Sequence, residues 1–224
     1  HVITFHAMQL FYCATFITGF TLPLWFSFKN IKDYIKDNLL SKKGLFWNAI
    51  WIPLIGLTIK NFTVIHPFLL ADNRHYVFYL VRRFIMRTEN ARYELIPIYH
   101  FSCYVVGKFI KQSFSEYSSS NSSLTMFFAL ICSTALTLVP SPLLEPRYFI
   151  IPFLFFRMMI NPSFDPIINV GWFRKHNTAI RLVLEGIWIW MWTQAVYVNS
   201  SDTRSLGSPR FIPKESSGDL ALDN

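Results

Sequence analysis

Charge is scarce in this 224-residue sequence: 21 basic and 13 acidic residues make up only 15% of it, where soluble domains carry about 25%. Against that stand 52% hydrophobic residues and 18% aromatics, more apolar surface than a water-soluble globule could hide. Cysteine is rare too. Cys13, Cys103 and Cys132 each lie inside apolar blocks, with no CxxC pair and no His at metal-ligand spacing, and read as small apolar fillers. The sequence also lacks a Gly-rich phosphate loop, a nucleophile elbow, an HExxH helix and a nucleotide fingerprint, and it has no internal repeat.

What is present are long apolar blocks separated by short basic or Ser-rich stretches, the alternation of spans and loops in a membrane protein. The expected fold class is therefore all-α, a polytopic transmembrane helical protein. Val2 to Phe28 is almost free of charge and long enough, at about 1.5 Å per residue, to cross a core of about 30 Å. Leu45 to Ile65, Leu95 to Ile110, Leu124 to Val139 and Ile180 to Val198 follow. Tyr148 to Ile160 is shorter and holds Pro152 and Arg157, so it would have to tilt or thin the bilayer. The total is about six spans. The formal net charge of +8 does not gather on one polar face, which argues against a nucleic-acid partner. Instead Lys29, Lys32, Lys36, Lys42 and Lys43 crowd one loop and many arginines neighbour aromatics, as near lipid headgroups.

Arg74 to Met86 decides the topology. Its apolar side chains favour insertion by roughly 2 to 3 kcal/mol, whereas Arg82 and Arg83 at mid-bilayer oppose it by roughly 5 to 7. An interfacial or re-entrant helix is the better reading. The lysine loop at 29–44 then faces the cytosol by the positive-inside rule, as do Lys108, Lys111, Arg174 and Lys175. Segments 66–92 and 143–147 face the other side. Asn61, Asn121 and Asn199 each open an N-glycosylation pattern, and this topology puts the first and third on the luminal side. Residues 1–198 form the expected transmembrane domain. The polar, Ser- and Gly-containing stretch 199–224 reads as a disordered tail. With His1 in place of a Met and no signal-peptide start, the sequence reads as a portion of a longer chain.

Polar residues set against apolar blocks normally face an interior cavity, because lipid would leave them unsatisfied. Two clusters qualify. HPFLLADNRHY concentrates His66, Asp72, Asn73, Arg74 and His75 just after a span, and LLEPRYFIIP sets Glu145 and Arg147 at the mouth of another. Plain structural roles remain open for both: Asp72 and Arg74 as a local pair or helix cap with Pro67 bending the chain, and Glu145 with Arg147 as a pair at a helix start where Pro146 suits the first turn. His6 and His100, alone in apolar blocks, read as hydrogen-bonded core histidines. Glu185 is an intramembrane acid that needs a partner, and Arg181 lies at i, i+4 spacing from it.

HPFLLADNRHYVFYLVRR, from His66 to Arg83, closely resembles the dolichyl-phosphate-glucose-dependent α-1,2-glucosyltransferases of the endoplasmic reticulum, which add the terminal glucose to the lipid-linked oligosaccharide; LLEPRYFIIPF, from Leu143, supports the match. The resemblance runs from the first span to Val198 and covers that family's C-terminal portion. It implies a multi-pass, C-type glycosyltransferase-like fold in the endoplasmic-reticulum membrane and a luminal reaction with no cofactor and no nucleotide sugar. Dolichyl-phosphate glucose would be the donor and the diglucosylated oligosaccharide on dolichyl pyrophosphate the acceptor. Because a β-linked donor gives an α-linked product, the resemblance implies one inverting displacement, with a carboxylate taking the acceptor proton and positive charge beside the departing phosphate.

Arg74 and Arg147 are the candidates to hold that phosphate, since a guanidinium stays charged and grips phosphate with two parallel hydrogen bonds. His66 and His75 would assist, or bind sugar hydroxyls with Asp72, Asn73 and Glu145. No metal ligand set is expected. The family's catalytic acid is expected in a first large luminal loop, and none precedes Val2, so the general base is expected outside these residues and the chain alone is expected to be inactive. The competing class is a transporter or lipid-handling protein with Arg157 and Glu185 lining a pathway; a third is a truncated, inactive interaction module.

Overall fold

Runs of Leu, Ile, Phe and Trp broken every few positions by Thr, Ser, Asn or Gln leave the backbone one economical way to satisfy its own polar groups, the helix. The computed structural model describes residues 5–63, 87–88, 90–116, 121–140, 147–160 and 176–205, and among them every regular element is helical. In order these are α1 (Met8–Phe20), α2 (Leu22–Trp25), α3 (Phe28–Tyr34), a π-helical turn (Ile35–Leu40), α4 (Lys42–Phe62), a 3-10 turn (Ala91–Leu95), α5 (Ile96–Glu116), α6 (Asn121–Leu138), α7 (Arg147–Met159) and α8 (Asn177–Ser205). Each apolar block read as a span is occupied by a helix.

The first block is broken, however. Pro23 has no N–H to offer the carbonyl of Gly19, so α1 stops at Phe20 and a short α2 follows. The orphaned carbonyls are satisfied from elsewhere. Trp188 Nε1 donates to Gly19 O at 2.9 Å, Trp25 Nε1 to Thr18 O at 2.8 Å, and the Asn30 amide to Trp25 O. Among the described residues no helix is long and apolar enough to cross a membrane. The interruptions are physical: α1 ends at its break, α7 has 13 residues, or about 20 Å, and α4 buries Asn48 and Thr58 within its run. Helix α8 continues through Ser205, beyond Val198 where the sequence suggests its end.

Helix directions alternate around α1. Met8 packs with Ile55, Ile59 and Tyr99, and the Phe5 and Phe62 rings lie 5.2 Å apart. The start of α1 therefore meets the end of α4 and the start of α5. His6 N donates to Val139 O at 2.8 Å, which brings the end of α6 to the same place. Phe16 and Phe20 meet Phe149 and Phe153 of α7 in sequence order, so α7 runs parallel to α1. Arg181 lies at Leu24 while Trp188 lies at Gly19, so α8 runs antiparallel. The larger core lies between α1, α5 and α7, around Cys13, Ile17, Leu24, Phe109, Phe153 and Phe156.

This alternation gives the bundle two ends. At one, termed the His6 end, stand His6, Phe62, Ala91 and Val139. At the other stand Asn30, Asp33, Lys108 and Asn177, joined where Lys108 Nζ donates to Asn30 Oδ1 at 2.7 Å and pairs with Asp33 at 3.4 Å. The lysine loop and Lys108 thus share an end, as the expected topology requires. The loop is held close to α4 at Gly44, where an added Cβ would collide with the carbonyl oxygen of Asp37 and lie 2.7 Å from Asn38 Cα. Asn48 Nδ2 donates across the same joint to Asn38 O at 2.8 Å.

Candidate functional site

Of the residues proposed from the sequence to bind substrate, Arg147 is the one within the described set. His66, Asp72, Asn73, Arg74, His75 and Glu145 lie outside it, as does the expected interfacial helix at 74–86. Arg147 opens α7 and is exposed, with its guanidinium carbon 5.5 Å from the centroid of the Tyr148 ring, within cation–π range. Two residues on, Phe149 is buried and meets Phe16 at 5.7 Å, so α7 opens about 10 Å short of the start of α1, measured along that helix.

The described residues on either side of the two polar clusters converge. The segment containing His66 to His75 leaves from Thr63, just past the end of α4, and the chain is described again at Arg87 and through the 3-10 turn at Ala91. Ala91 is buried, and the adjoining Tyr93 and Leu95 pack on the cluster of Met8, Ile55, Ile59 and Tyr99. The segment containing Glu145 leaves after Val139, which is bonded to His6, and ends at Arg147. Described residues flanking both clusters thus meet at the His6 end.

A second polar group lies deeper, between α7 and α8. Arg157 Nε donates to both oxygens of Glu185 at 2.8 and 3.0 Å, and Nη2 donates to Oε2 at 2.9 Å. Glu185 is buried. One turn earlier on α8, the fully buried Arg181 donates to Asn177 Oδ1 at 3.3 Å, to Pro23 O at 3.0 Å and to Leu24 O. Spacing within α8 points from Glu185 to Arg181. The fold supplies the two-pronged partner from another helix, 28 residues away in sequence, and Arg181 closes carbonyls at the C-terminal end of α2. An acid and a base in neighbouring apolar blocks were the available signal, but pairing them requires knowing that α7 and α8 touch.

His100 is hydrogen-bonded, as expected of a core histidine, with Nδ1 2.9 Å from the Tyr34 hydroxyl. Burial pushes the Tyr34 phenol above its usual range, which keeps it a neutral partner there. Cys13 sits in the main core and the thiols are unpaired. Among the described residues no three His, Cys, Asp or Glu side chains come together as a metal site would need.

Among the described residues the protein is of the all-α bundle class, and residues flanking the two polar clusters, Phe62 and Ala91 for one and Val139 for the other, lie at its His6 end. Within that class the chain belongs to the DIE2/ALG10 family, whose sequence model matches residues 1–158 and so includes both polar clusters. It is 38% identical over 196 residues to the Dol-P-Glc:Glc(2)Man(9)GlcNAc(2)-PP-Dol alpha-1,2-glucosyltransferase of Debaryomyces hansenii, covering 82% of this chain and 41% of the relative. The protein of the same name from Candida glabrata is 38% identical over 210 residues, 84% of this chain and 40% of its own. The human one is 36% identical over 160 residues, covering 71% and 31%. The chain spans about two fifths of the length of the two fungal relatives. No solved structure matches it.

Proposed function

We propose that this chain forms the donor-phosphate side of a dolichyl-phosphate-glucose-dependent α-1,2-glucosyltransferase in the endoplasmic-reticulum membrane. The observation that supports the reading is that described residues flanking both arginine-bearing segments, Phe62 and Ala91 for one and Val139 for the other, meet at the His6 end, with Arg147 exposed at the start of α7. Two guanidiniums there can share one phosphate, each with parallel N–H donors. His66, Asp72, Asn73, His75 and Glu145 supply hydrogen bonds to phosphate or sugar.

The reaction is a single displacement. The acceptor hydroxyl oxygen on the diglucosylated, dolichyl-pyrophosphate-linked oligosaccharide attacks the anomeric carbon of glucose. The bond from that carbon to phosphate breaks, and dolichyl phosphate departs with the electron pair. A carboxylate takes the hydroxyl proton. Arg74 and Arg147 bind the charge that grows on the departing phosphate, the contribution with the largest leverage on the barrier. Donor and acceptor are both lipid-linked, so the site opens to the bilayer.

Exposed apolar side chains support a membrane setting with about six spans and the basic end toward the cytosol. Phe46, Trp47, Trp51 and Leu54 on α4, Ile151, Leu154, Phe155 and Met158 on α7, and Val183, Ile187, Trp190 and Met191 on α8 are exposed together, an area that water would penalise and lipid would not. Nothing favours the transporter reading, since the two charges proposed to line a pathway, Arg157 and Glu185, neutralise each other. The test is Arg74→Ala in the full-length enzyme: the lipid-linked oligosaccharide accumulates one glucose short while the protein persists. Complete glucosylation would remove Arg74 from the site.

A further inference from the structure

We propose that the Arg157–Glu185 pair is a positioning device that sets the depth of α7 and, through it, the place of Arg147; this rests on the reading of Arg147 as a donor-phosphate ligand. The argument begins from what α7 otherwise lacks. With 13 residues it reaches about 20 Å, roughly 10 Å less than a bilayer core, so hydrophobic matching does not hold its height. Its lipid-facing side is uniformly apolar, with Ile150, Ile151, Leu154, Phe155 and Met158 exposed. Sliding that face by one turn costs little.

The inward face is nearly as indifferent. Phe149, Phe153 and Phe156 are buried against Phe16, Phe20 and Phe109, at spacings of four and three residues. With Pro152 buried among them, these are all apolar, and a slip of one turn puts Phe153 where Phe149 stood. Arg157 breaks this repetition, because the charges of α7 are Arg147 at its start and Arg157 near its end. A displacement of about 5.4 Å, one helical turn, would separate the three hydrogen bonds to Glu185 and leave a buried carboxylate unpaired. A single polar contact in an otherwise apolar interface fixes register in just this way.

Glu185 is itself keyed to the bundle. Arg181 ties α8 to the carbonyls of Pro23 and Leu24, and Trp188 ties it to Gly19. Depth is therefore passed from the α1–α2 break to α8, from α8 to Arg157, and along ten residues of α7, about 15 Å, to Arg147. Neither Arg157 nor Glu185 needs to touch the donor.

The experiment measures glucose transfer from dolichyl-phosphate glucose by the full-length membrane enzyme carrying Glu185→Gln, the exchange of Arg157→Glu with Glu185→Arg, and Glu185→Gln combined with Arg147→Ala. Glu185→Gln is expected to raise the donor KM about tenfold at near-normal protein abundance. The exchange is expected to restore it, and the substitution is expected to add nothing to the donor KM of Arg147→Ala. The proposal is overturned if Glu185→Gln lowers abundance while the donor KM stays unchanged, or if its effect multiplies with that of Arg147→Ala. If Glu185→Gln does not accumulate, the exchange carries the test: recovered abundance with a KM still raised also overturns it. Labelling of a cysteine placed at exposed Tyr148 separates the two ideas. An unchanged donor KM in Arg147→Ala defeats the phosphate reading, whereas an unchanged labelling rate in Glu185→Gln defeats the positioning pair.

Discussion

Replacing Arg181 by methionine removes the guanidinium while nearly keeping its volume, and the structure allows the cost to be worked out. The side chain is fully buried and donates to the carbonyls of Pro23 and Leu24 at the C-terminal end of α2. Each buried carbonyl left without a donor costs about 1 to 3 kcal/mol. Part of that sum is offset because a buried guanidinium no longer has to be desolvated, for a net loss of about 3 kcal/mol. At about 2 to 4 °C per kcal/mol for a chain of this size, the unfolding midpoint should fall by about 6 to 12 °C. The assay is thermal unfolding of the detergent-solubilised chain followed by near-ultraviolet dichroism, with Arg181→Lys as a control that keeps one donor and loses about half as much. A midpoint for Arg181→Met within about 1 °C of the parent would refute the capping argument.

Other outcomes follow from the packing. Gly44→Ala should loosen the joint between the π-helical turn and α4, since its Cβ meets backbone that must move; hydrogen exchange at 35–48 should rise while α5 is unaffected. Phe109→Ala should cost about 3 to 5 kcal/mol, the usual loss for a buried phenylalanine, because Phe109 is 2% exposed and meets Phe156 at 5.8 Å. An unfolding midpoint unchanged by that substitution would contradict the assignment of the main core. Lys108→Met should cost only about 0.5 to 1 kcal/mol, as its pair with Asp33 is partly exposed. Tryptic cleavage at Lys32 and Lys36 should then quicken a few-fold.

The all-helical class was legible because an apolar block of helical length has few alternatives in sequence terms. The alternating directions of the helices were legible too, since short connections between such blocks reverse the chain. The break near Thr21 was not taken from the sequence, although Pro23 marks it. A run without charge looks continuous, and the consequence of a missing N–H depends on whether a distant donor such as Trp188 arrives to replace the lost bond. The same reason hid the partner of Glu185. Spacing along one helix proposes Arg181, but the bidentate geometry is set by contact between α7 and α8, which no periodicity encodes. His100 went the other way: an isolated histidine in an apolar block was expected to find a hydrogen bond, and Tyr34 provides it. The motif from His66 to His75 is legible as chemistry through residue type, while its geometry lies outside the described residues.

The most direct measurement is side-specific labelling of single cysteines placed at Arg74 and Arg147 in sealed microsomes. Both positions should react only when reagent reaches the lumen, at comparable rates. Reaction of one from the lumen and the other from the cytosol would separate the two arginines by the bilayer and contradict a shared phosphate site.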